Sequence, residues 1–559
     1  MTKHGDITDI RWLFTEARKY KYISFDIYDT LLLRPYVKPR DLFKHIEKFS
    51  NAPGFAKERV RAEYLARDKW SGETTFANIY ETIDPKYAHL KRTELEFEMC
   101  AFCLPEVRDA FNALCKKREV YLISDMYLPK RYLEHLLKLC GLEGYTDLYV
   151  SCEHNCNKHS GNLFKRMLAE KRIHPDEIIH FGDNKHSDYR VPRSLGIYCA
   201  NVRRPIDNYL RKHPLIHKFY LANRSVERSM IVSLDMIHSY EKGNDFWYDI
   251  AYRFGGPLLF DYMRFIEKNR DKDSTLFFVA RDGYNMKQYH DRNSFDESLY
   301  IYAPRFLNIL IGSNYKSYKG YQEVLVNYFY PDFEGDPYTF FEENKVEIKK
   351  KRKDLFNKYA KTLGEYDNIS IVDVTTMKYS SQKLISDIFP DAKVEGLYYF
   401  ILNDDPNIEH KGYHTRDKTI KLWDNVNLTE FFLTSPEPPI VGISSEGDPI
   451  FKEVCEEERQ RLDIYEHVTN GELAYSDIVK DLFPDRMIDL GYKNIKAWLR
   501  VLASPLSPKT RAALTAMKWP VDAKHEKYVS MVYHPRDTWY HLTKTLTDAY
   551  YYLGKHLKK

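Results

Sequence analysis

The sequence predicts an α/β protein whose first third contains a Rossmann-like parallel sheet. Short apolar segments of strand length alternate with segments of helical spacing, which is typical of parallel α/β sheets. Polar residues directly follow several of these strands, where open parallel sheets bind ligands. The chain has 559 residues, which is too long for one ordinary core and indicates two or more domains.

The first domain is predicted at residues 1–205. Its strands are expected at Tyr22–Asp26, Val120–Ser124, Asp147–Ser151, Ile178–Phe181 and Ile197–Val202. An insert at about residues 35–118 separates the first two strands, and its apolar residues have helical spacing. We therefore expect a helical cap that covers the ends of the strands.

The remaining chain is predicted to contain a helical connector, a second α/β domain and a mainly helical C-terminal region. These parts are expected at residues 206–245, 246–455 and 456–559. The strands of the second domain are predicted at Thr275–Ala280, Leu299–Ala303, Ser370–Val374 and Glu395–Ile401.

The composition is that of a soluble globular protein. Hydrophobic residues make up 43% and charged residues 30% of the chain, and the formal net charge is +4. This balance gives no reason to expect a nucleic-acid partner. The sequence shows neither the apolar core of a signal peptide nor an apolar run of about 20 residues that could span a bilayer. We therefore expect a cytoplasmic protein.

The cysteines allow two interpretations. Seven of the eight lie between residues 100 and 199, where Cys100 and Cys103 form a CxxC pair and Cys152 and Cys156 lie close together. Such spacing is compatible with a zinc site. However, we interpret the segment 100–103 as the apolar side of a helix, and free thiols in a reducing cytosol are the favoured alternative.

Two acidic motifs follow predicted strands. Asp26 ends the first strand, and a carboxylate there can attack phosphorus or carbon in a covalent mechanism. Gly182 and Asp183 follow another strand, with Asp188 about a helical turn later. Mg²⁺ keeps several waters, so one or two carboxylates with a carbonyl are enough to bind it. Gly182 is interpreted as permitting a tight turn.

Two further motifs complete the set. Ser124 and Asp125 follow a strand and offer a hydroxyl to a transferring group. Lys158 offers a cation that would keep a neighbouring carboxylate ionised and offset charge on a substrate. Each motif alone is common in turns or on surfaces. Their order and their shared position at strand ends together indicate one site.

The four motifs, in this order, resemble those of the haloacid dehalogenase (HAD) superfamily over about residues 20–205, and the insert resembles the family's first-type cap. The resemblance implies that Asp26 is a nucleophile. It also implies that Mg²⁺ is held by Asp26, the Tyr28 carbonyl and Asp183, with Asp188 supporting the metal site.

The same resemblance assigns the remaining polar residues of these motifs. Ser124 and Lys158 would bind the transferring group. Thr30 and Asp125 are candidate substrate-binding residues.

One position departs from the pattern of HAD phosphatases. These enzymes usually carry an acid–base aspartate two residues after the nucleophile, where this chain has Tyr28. Asp29 follows, but on an extended backbone it would point to the other face. General acid–base catalysis contributes about 10²–10⁴ in rate. A slow or unusual phosphatase, a phosphoryl-binding domain and a dehalogenase therefore all remain open.

The second half contains charged residues at predicted strand ends. Arg281 and Asp282 follow one strand, Arg305 follows another, and Asp373 lies in a third. We expect them to line one cleft in which Arg281 and Arg305 bind an anion. The alternative is a structural domain whose strands end in polar turns.

The segment LFFVARDGY at 276–284 makes the whole chain resemble predicted bacterial HAD-family proteins of capsule and lipopolysaccharide gene clusters. This resemblance implies a small phosphorylated substrate, such as a sugar or polyol phosphate, and partners in polysaccharide biosynthesis. We therefore expect an Mg²⁺-dependent hydrolase. A non-catalytic binding or scaffolding protein is the alternative.

Overall fold

The chain forms two compact units. The first comprises residues 1–243 with 477–488, and the second comprises residues 244–476 with 489–559. This computed structural model describes residues 5–70, 73–241, 243, 245–376, 378–415, 426–444, 446–503, 508–520 and 528–530. Within these residues, no helix is long and apolar enough to cross a membrane.

The first unit contains a six-stranded parallel sheet, as the alternation of strands and helices predicts. Its strands are β1 (Gly5–Asp6), β2 (Tyr22–Phe25), β3 (Glu119–Ser124), β4 (Asp147–Val150), β5 (Ile178–Gly182) and β6 (Tyr198–Arg203). They are ordered β1-β6-β5-β2-β3-β4. Strands β2 and β5 are neighbours in the sheet. The strand that follows β2 in sequence, β3, lies on one side of this pair, and the strand that follows β5, β6, lies on the other, so the strand order reverses between β2 and β5. Such a switch point opens a crevice at the carboxyl ends of the strands.

The helices of the first unit flank this sheet and form the insert. They are α1 (Ile10–Ala17), α2 (Asp41–Phe49), α3 (Phe55–Lys69), α4 (Phe76–Thr82), α5 (Lys91–Glu98), α6 (Pro105–Cys115), α7 (Lys130–Leu139), α8 (Ser151–His154), α9 (Asn162–Lys171), α10 (Val191–Ser194), α11 (Pro205–Lys212), α12 (Pro214–Ala222) and α13 (Val226–His238). Short 3₁₀ turns lie at Pro85–Leu90 and Pro175–Glu177, and a π turn lies at Lys185–Arg190. The described part of the insert contains no strand, because its apolar residues recur with helical spacing.

A buried ion pair joins the helices of the insert. The Arg59 guanidinium on α3 donates from Nε to Glu94 Oε1 on α5 over 2.7 Å, and both side chains are fully buried. Tyr80 on α4 donates its hydroxyl to Glu94 Oε2 over 2.7 Å. Removing one partner of such a pair costs about 3–5 kcal/mol, since the other charge stays buried. The pair therefore fixes the packing of three helices.

The predicted helix through Cys100–Cys103 is wrong. Helix α5 ends at Glu98, and Phe102 instead forms an antiparallel bridge with Leu33. The Leu33 amide donates to the Phe102 carbonyl over 2.8 Å, and the Phe102 amide donates to the Leu33 carbonyl over 3.0 Å. This pairing joins the residue stretch just before the insert to the segment between α5 and α6. Apolar spacing alone did not distinguish it from a helical turn.

The second unit contains another parallel sheet. Its strands are β7 (Thr275–Val279), β8 (Ser298–Ile301), β9 (Asn368–Thr376), β10 (Lys393–Ile401) and β11 (His410–Thr415), ordered β11-β10-β9-β7-β8. The order reverses between β7 and β9, as it does between β2 and β5. Two antiparallel pairs are formed by β12 (Ile440–Ile443) with β13 (Pro449–Phe451) and by β14 (Lys518–Pro520) with β15 (Tyr528–Ser530).

Helices make up most of the rest of the described second half. They are α14 (Phe246–Ile250), α15 (Gly256–Asn269), α16 (Tyr284–Asn293), α17 (Arg305–Leu310), α18 (Tyr321–Phe329), α19 (Pro337–Glu343), α20 (Lys345–Leu363), α21 (Ser380–Ile388), α22 (Val426–Phe432), α23 (Glu456–Leu482), α24 (Tyr492–Ala503) and α25 (Pro508–Ala516). A π turn lies at Ala251–Gly255 and a 3₁₀ turn at Tyr315–Ser317. The last part of the predicted helical C-terminal region, 531–559, lies outside the described residues.

The core of the second unit contains a buried acid, Glu472 on α23. Asn285 donates from Nδ2 to Glu472 Oε2 over 2.8 Å, while no described group forms a hydrogen bond with Glu472 Oε1. A Cβ at position 255 would lie 2.3 Å from Oε1, so Gly255 leaves the space that the carboxyl group occupies. Burial raises the pKa of Glu472 well above its ordinary value.

We predict that Glu472→Gln stabilises the second unit at alkaline pH. The pKa is higher in the folded than in the unfolded chain, so stability is full below about pH 4 and falls as the pH rises toward the folded value. A neutral amide removes this loss, which we expect to be on the order of 2 kcal/mol. Thermal melts at pH 5 and pH 8 should show a difference between variant and wild type that grows with pH.

The matched control is Glu466→Gln, which changes an exposed residue on the same helix. Its melting temperature should follow that of the wild type at both pH values. A stabilisation by Glu472→Gln that is equal at both pH values would contradict the assignment of a buried titrating acid.

Candidate active site

The candidate site lies where the strand order of the first sheet reverses. Asp26 directly follows β2, and its amide donates to the Phe181 carbonyl of β5 over 2.8 Å. Asp183 directly follows β5. The carboxyl ends of these neighbouring parallel strands therefore bring the first and fourth motifs together.

Lys158 connects two carboxylates of this site. Its ammonium lies 2.5 Å from Asp26 Oδ1 and 2.6 Å from Asp188 Oδ1. All three side chains are at least nine-tenths buried. Two short charge-assisted hydrogen bonds therefore hold both acids and the cation in one cluster.

A buried histidine that the sequence analysis did not select supports Asp188. His180 Nε2 lies 3.3 Å from Asp188 Oδ1, and its Nδ1 lies 2.9 Å from Ser24 Oγ. The Asn184 amide donates to Asp188 Oδ2 over 3.0 Å. Burial lowers the pKa of His180, which favours the neutral imidazole. Alternate residues of a strand lie on the same face, so the sequence Ile178–Gly182 places His180 on the face of Gly182. This shared face was the signal that could have identified His180 as a neighbour of the site.

Gly182 is required for a different reason from the predicted tight turn. The structure shows no left-handed φ at this glycine. A Cβ there would lie 2.5 Å from both Cβ and Cγ of Asp188, which is closer than real contacts allow. The glycine therefore allows Asp188 to approach the end of β5.

Three carboxylates of the site are close enough to share a cation. Asp26, Asp183 and Asp188 each offer one oxygen, and these oxygens all lie within 4.8 Å of one another. Burial raises the pKa of Asp26 to about 7. The ammonium of Lys158 opposes this shift, and the charge of Asp188 adds to it. Burial and the neighbouring acids, Asp26 first, raise the pKa of Asp183 to about 8. Lys158 and His180 instead lower the pKa of Asp188, although its burial opposes the shift. Burial is thus the main reason that the pKa values of Asp26 and Asp183 are raised.

The second motif contributes one positioning residue and one buried hydroxyl. Asp125 Oδ1 accepts a hydrogen bond from the Lys158 amide over 2.7 Å, so it orders the loop that carries the ammonium. Ser124 is the last residue of β3 and is 2% exposed. Thr30 is also buried, and no described group forms a hydrogen bond with its hydroxyl.

Tyr28 is buried beside the arginine that begins the insert. The Arg34 guanidinium lies 3.7 Å from the centre of the Tyr28 ring. No hydrogen bond from a described group reaches the Tyr28 hydroxyl, which is itself buried. Burial raises the pKa of Tyr28 well above its ordinary value, although Arg34 opposes the shift. The phenol is therefore neutral and is not a base near neutral pH.

Asp29 does not follow the predicted extended conformation. Its φ is 61°, and its amide donates to the Leu32 carbonyl over 2.8 Å. This left-handed residue invalidates the argument from strand alternation. Its Oδ2 lies 3.8 Å from Arg204 Nη1, and its charge contributes to the raised pKa of Asp183. Asp29 is thus part of the electrostatic surroundings of the site.

The insert contacts the loops that carry the site. The Phe76 amide at the start of α4 donates to the Tyr127 carbonyl over 2.8 Å, just after the second motif. The rings of these two residues stack with centres 6.1 Å apart. Together with the contact between Arg34 and Tyr28, this arrangement joins the insert to the segments after β2 and β3.

The candidate residues of the second unit are only partly described. Arg281 has a φ of 69°, and its amide donates to the Tyr300 hydroxyl over 2.8 Å. Burial raises the pKa of Asp282 to about 6, and burial with the charge of Asp282 raises the pKa of Asp373 to about 8. These residues therefore share one electrostatic environment. The side chain of Arg305 lies outside the described part of the chain, so the predicted anion cleft stays a prediction.

The cysteines are free thiols. Burial raises the pKa of both Cys100 and Cys152 to about 12. Among the described residues, no group of three or more potential metal-binding side chains includes a cysteine. The favoured interpretation of free thiols agrees with these observations.

Comparison with known proteins gives structural neighbours alone. No family model and no curated protein matches the chain. The defluorinating L-2-haloacid dehalogenase Rha0230 is 15% identical with a TM-score of 0.27, over 34% of this chain and 83% of that chain. HAD family enzyme bt-2542 from Bacteroides thetaiotaomicron, in complex with magnesium and inorganic phosphate, is 17% identical with a TM-score of 0.26, over 33% and 95%.

A third neighbour is the HAD-hydrolase YfnB from Bacillus subtilis, bound to magnesium. It is 14% identical with a TM-score of 0.27, over 32% of this chain and 87% of that chain. These neighbours are all HAD-family enzymes, and each match covers about a third of this chain.

We predict that Lys158→Gln destabilises the first unit in the absence of divalent cations. The substitution leaves Asp26 and Asp188 buried without their cation, a change that costs about 3–5 kcal/mol in comparable pairs. Calorimetric unfolding in EDTA should show the loss, and added Mg²⁺ should restore part of it.

Lys165→Gln is the matched control, because Lys165 is exposed on the following helix α9. Its stability should stay within about 0.5 kcal/mol of the wild type. Equal unfolding temperatures for the two variants would show that the ammonium of Lys158 does not hold the carboxylates together.

Proposed function

We propose that the first unit is an Mg²⁺-dependent HAD-type phosphohydrolase that acts through a covalent intermediate on Asp26. The observation that supports this most directly is the cluster of Asp26, Asp183 and Asp188, in which the ammonium of Lys158 binds Asp26 and Asp188. It combines a nucleophile, oxygen ligands and a fixed cation within one buried site.

The donor atoms fit Mg²⁺. The Asp26 and Asp183 carboxylates with the Tyr28 carbonyl form an all-oxygen set, which suits a hard cation. No hydrogen bond or ion pair between described groups involves the Asp183 carboxylate, and its pKa is raised by burial and by neighbouring acids. Asp188 would support this set from its place between Lys158 and His180. A bound Mg²⁺ would supply positive charge to the transferring phosphoryl group and to the acids.

The chain's own residues would then carry the reaction. A carboxylate oxygen of Asp26 attacks phosphorus, the bond from phosphorus to the leaving oxygen breaks, and that oxygen takes a proton from solvent water. The Lys158 ammonium and the Ser124 hydroxyl bind the phosphoryl oxygens, and Lys158 also favours the ionised form of Asp26. Water then attacks the aspartyl phosphate, which releases inorganic phosphate and regenerates Asp26.

Tyr28 makes the second step slow in this proposal. A phosphatase aspartate at this position would take a proton from the attacking water, whereas a buried neutral phenol does not. The first step is less affected when the leaving oxygen needs little protonation. We therefore propose a slow or unusual phosphatase.

The proposed substrate is a small phosphorylated metabolite, such as a sugar or polyol phosphate, used in surface-polysaccharide synthesis in the cytoplasm. This part of the proposal is supported by the resemblance of the sequence. Thr30 and Asp125 are the proposed contacts with this substrate in the first unit. Arg281 and Arg305 are proposed separately, as residues that bind an anion in a cleft of the second unit.

A non-catalytic phospho-ligand-binding or scaffolding protein is the second candidate. Tyr28 favours this candidate, because it stands where the usual acid–base aspartate would be. Its buried hydroxyl also has no described hydrogen-bond partner. In that case the same cluster would bind a phosphorylated ligand or partner without turning it over.

We predict weak Mg²⁺-dependent release of phosphate from aryl phosphates by the wild type. Tyr28→Asp should raise the rate by about tenfold or more, because it restores an acid–base group, and Asp26→Asn should abolish it. Tyr28→Phe is the matched control and should leave the low rate unchanged, since it removes only the hydroxyl. The measurement is a phosphate-release assay over aryl and sugar phosphates with Mg²⁺ or EDTA.

Two outcomes would change the assignment. If neither the wild type nor Tyr28→Asp releases phosphate in an Mg²⁺-dependent manner, the enzyme proposal fails and the binding function replaces it. If the wild type hydrolyses a sugar phosphate rapidly, another residue supplies the base and the proposed role of Tyr28 is wrong.

A further inference from the structure

The first unit has a basic cleft at the edge of its sheet opposite the carboxylate cluster. The cleft has a volume of about 680 Å³ and lies where β2 and β3 begin. Small-molecule sites usually have volumes of about 300–1,000 Å³. The charged residues that line it are Arg18, Lys21, Lys116, Lys117, Arg118 and Glu119.

The charge of this basic cleft is strongly unbalanced. Five cations and one carboxylate give a local formal excess of +4, which equals the formal charge of the whole chain. The Glu119 carboxylate also accepts a hydrogen bond from the Tyr121 hydroxyl over 2.6 Å. Within the described residues, no carboxylate lies within 4 Å of the cationic groups of Arg18, Lys116, Lys117 or Arg118. Lys21 does have such a neighbour, because its ammonium lies 3.8 Å from Glu177 Oε1. The charges of the other four cations are therefore not neutralised by described carboxylates.

Helix ends explain only part of this charge. Helices α1 and α6 end at Ala17 and Cys115, directly before the two basic segments. A helix C-terminus carries about half a negative charge, so two ends favour roughly one positive charge between them. Their last carbonyls already accept backbone hydrogen bonds, including one from Lys116 to Asn112 over 3.2 Å. Most of the cationic charge therefore has no structural role in capping.

The cleft is separate from the candidate active site. Lys21 precedes the first residue of β2, whereas Asp26 follows its last residue. Strands rise about 3.3 Å per residue, so the two ends are on the order of 15 Å apart. A molecule in the cleft would not reach the Asp26 carboxylate.

We propose that this basic cleft binds a small polyanion that carries two or more phosphate groups. Exposed lysine ammonium groups act as mobile point charges and bind phosphates without a fixed geometry. Tyr20 and Tyr22 also line the cleft, and the Lys21 ammonium lies 4.7 Å from the centre of the Tyr22 ring.

The test is isothermal titration of the full chain with inorganic triphosphate in EDTA. The wild type should bind, and Lys116→Glu/Lys117→Glu should weaken binding by about tenfold or more, since two contacts are lost and two repulsive charges are added. The matched control is Lys349→Glu/Lys350→Glu, which makes the same charge change at an exposed adjacent pair on α20. It should change the affinity by less than about twofold.

A neutral variant keeps the test independent of folding defects. Lys116→Gln/Lys117→Gln should weaken binding to an intermediate degree, and its thermal melt should match that of the wild type. Absence of triphosphate binding, or equal weakening by the cleft and control pairs, would overturn the proposal. It would also be overturned if vesicles containing phosphatidylglycerol bound through the cleft lysines while triphosphate did not.

Discussion

The hydrogen bonds of the Lys158 ammonium with Asp26 and Asp188 are the interaction on which the candidate site depends. Burying two acids so close together is unfavourable unless a cation is fixed beside them. Asp125 fixes the backbone of Lys158, and Gly182 leaves the space that Asp188 needs. Residues from four separate segments therefore act together to fix a cation beside buried acids, and the parallel sheet brings these segments together.

Much of this arrangement could be predicted because it depends on regular patterns. The strands predicted in both parallel sheets are present within two residues at either end, since their apolar runs are buried on both faces. Edge strands such as β11 were missed, because His410–Thr415 pairs on one side alone and has a polar sequence. The role of His180 was missed because a lone histidine within an apolar strand indicates only burial.

The remaining errors concern contacts and conformations that no local pattern encodes. The bridge between Leu33 and Phe102 joins residues that are distant in sequence. The helical spacing around Phe102 therefore predicted a helix where the structure has this bridge. The left-handed conformation of Asp29 depends on the turn after β2. Arg281 also has a left-handed conformation. It follows β7, which lies at the switch point of the second sheet. Strained residues of this kind concentrate where loops at strand ends are functional.

The most direct test of the central claim is to trap the aspartyl phosphate. The chain would be incubated with acetyl phosphate and Mg²⁺, quenched in acid and examined by peptide mass spectrometry. The account predicts the mass of one phosphoryl group on the peptide that contains Asp26, its loss in Asp26→Asn, and its absence when EDTA replaces Mg²⁺. An unmodified Asp26 peptide in the wild type, or a phosphoryl group on another residue, would contradict the account.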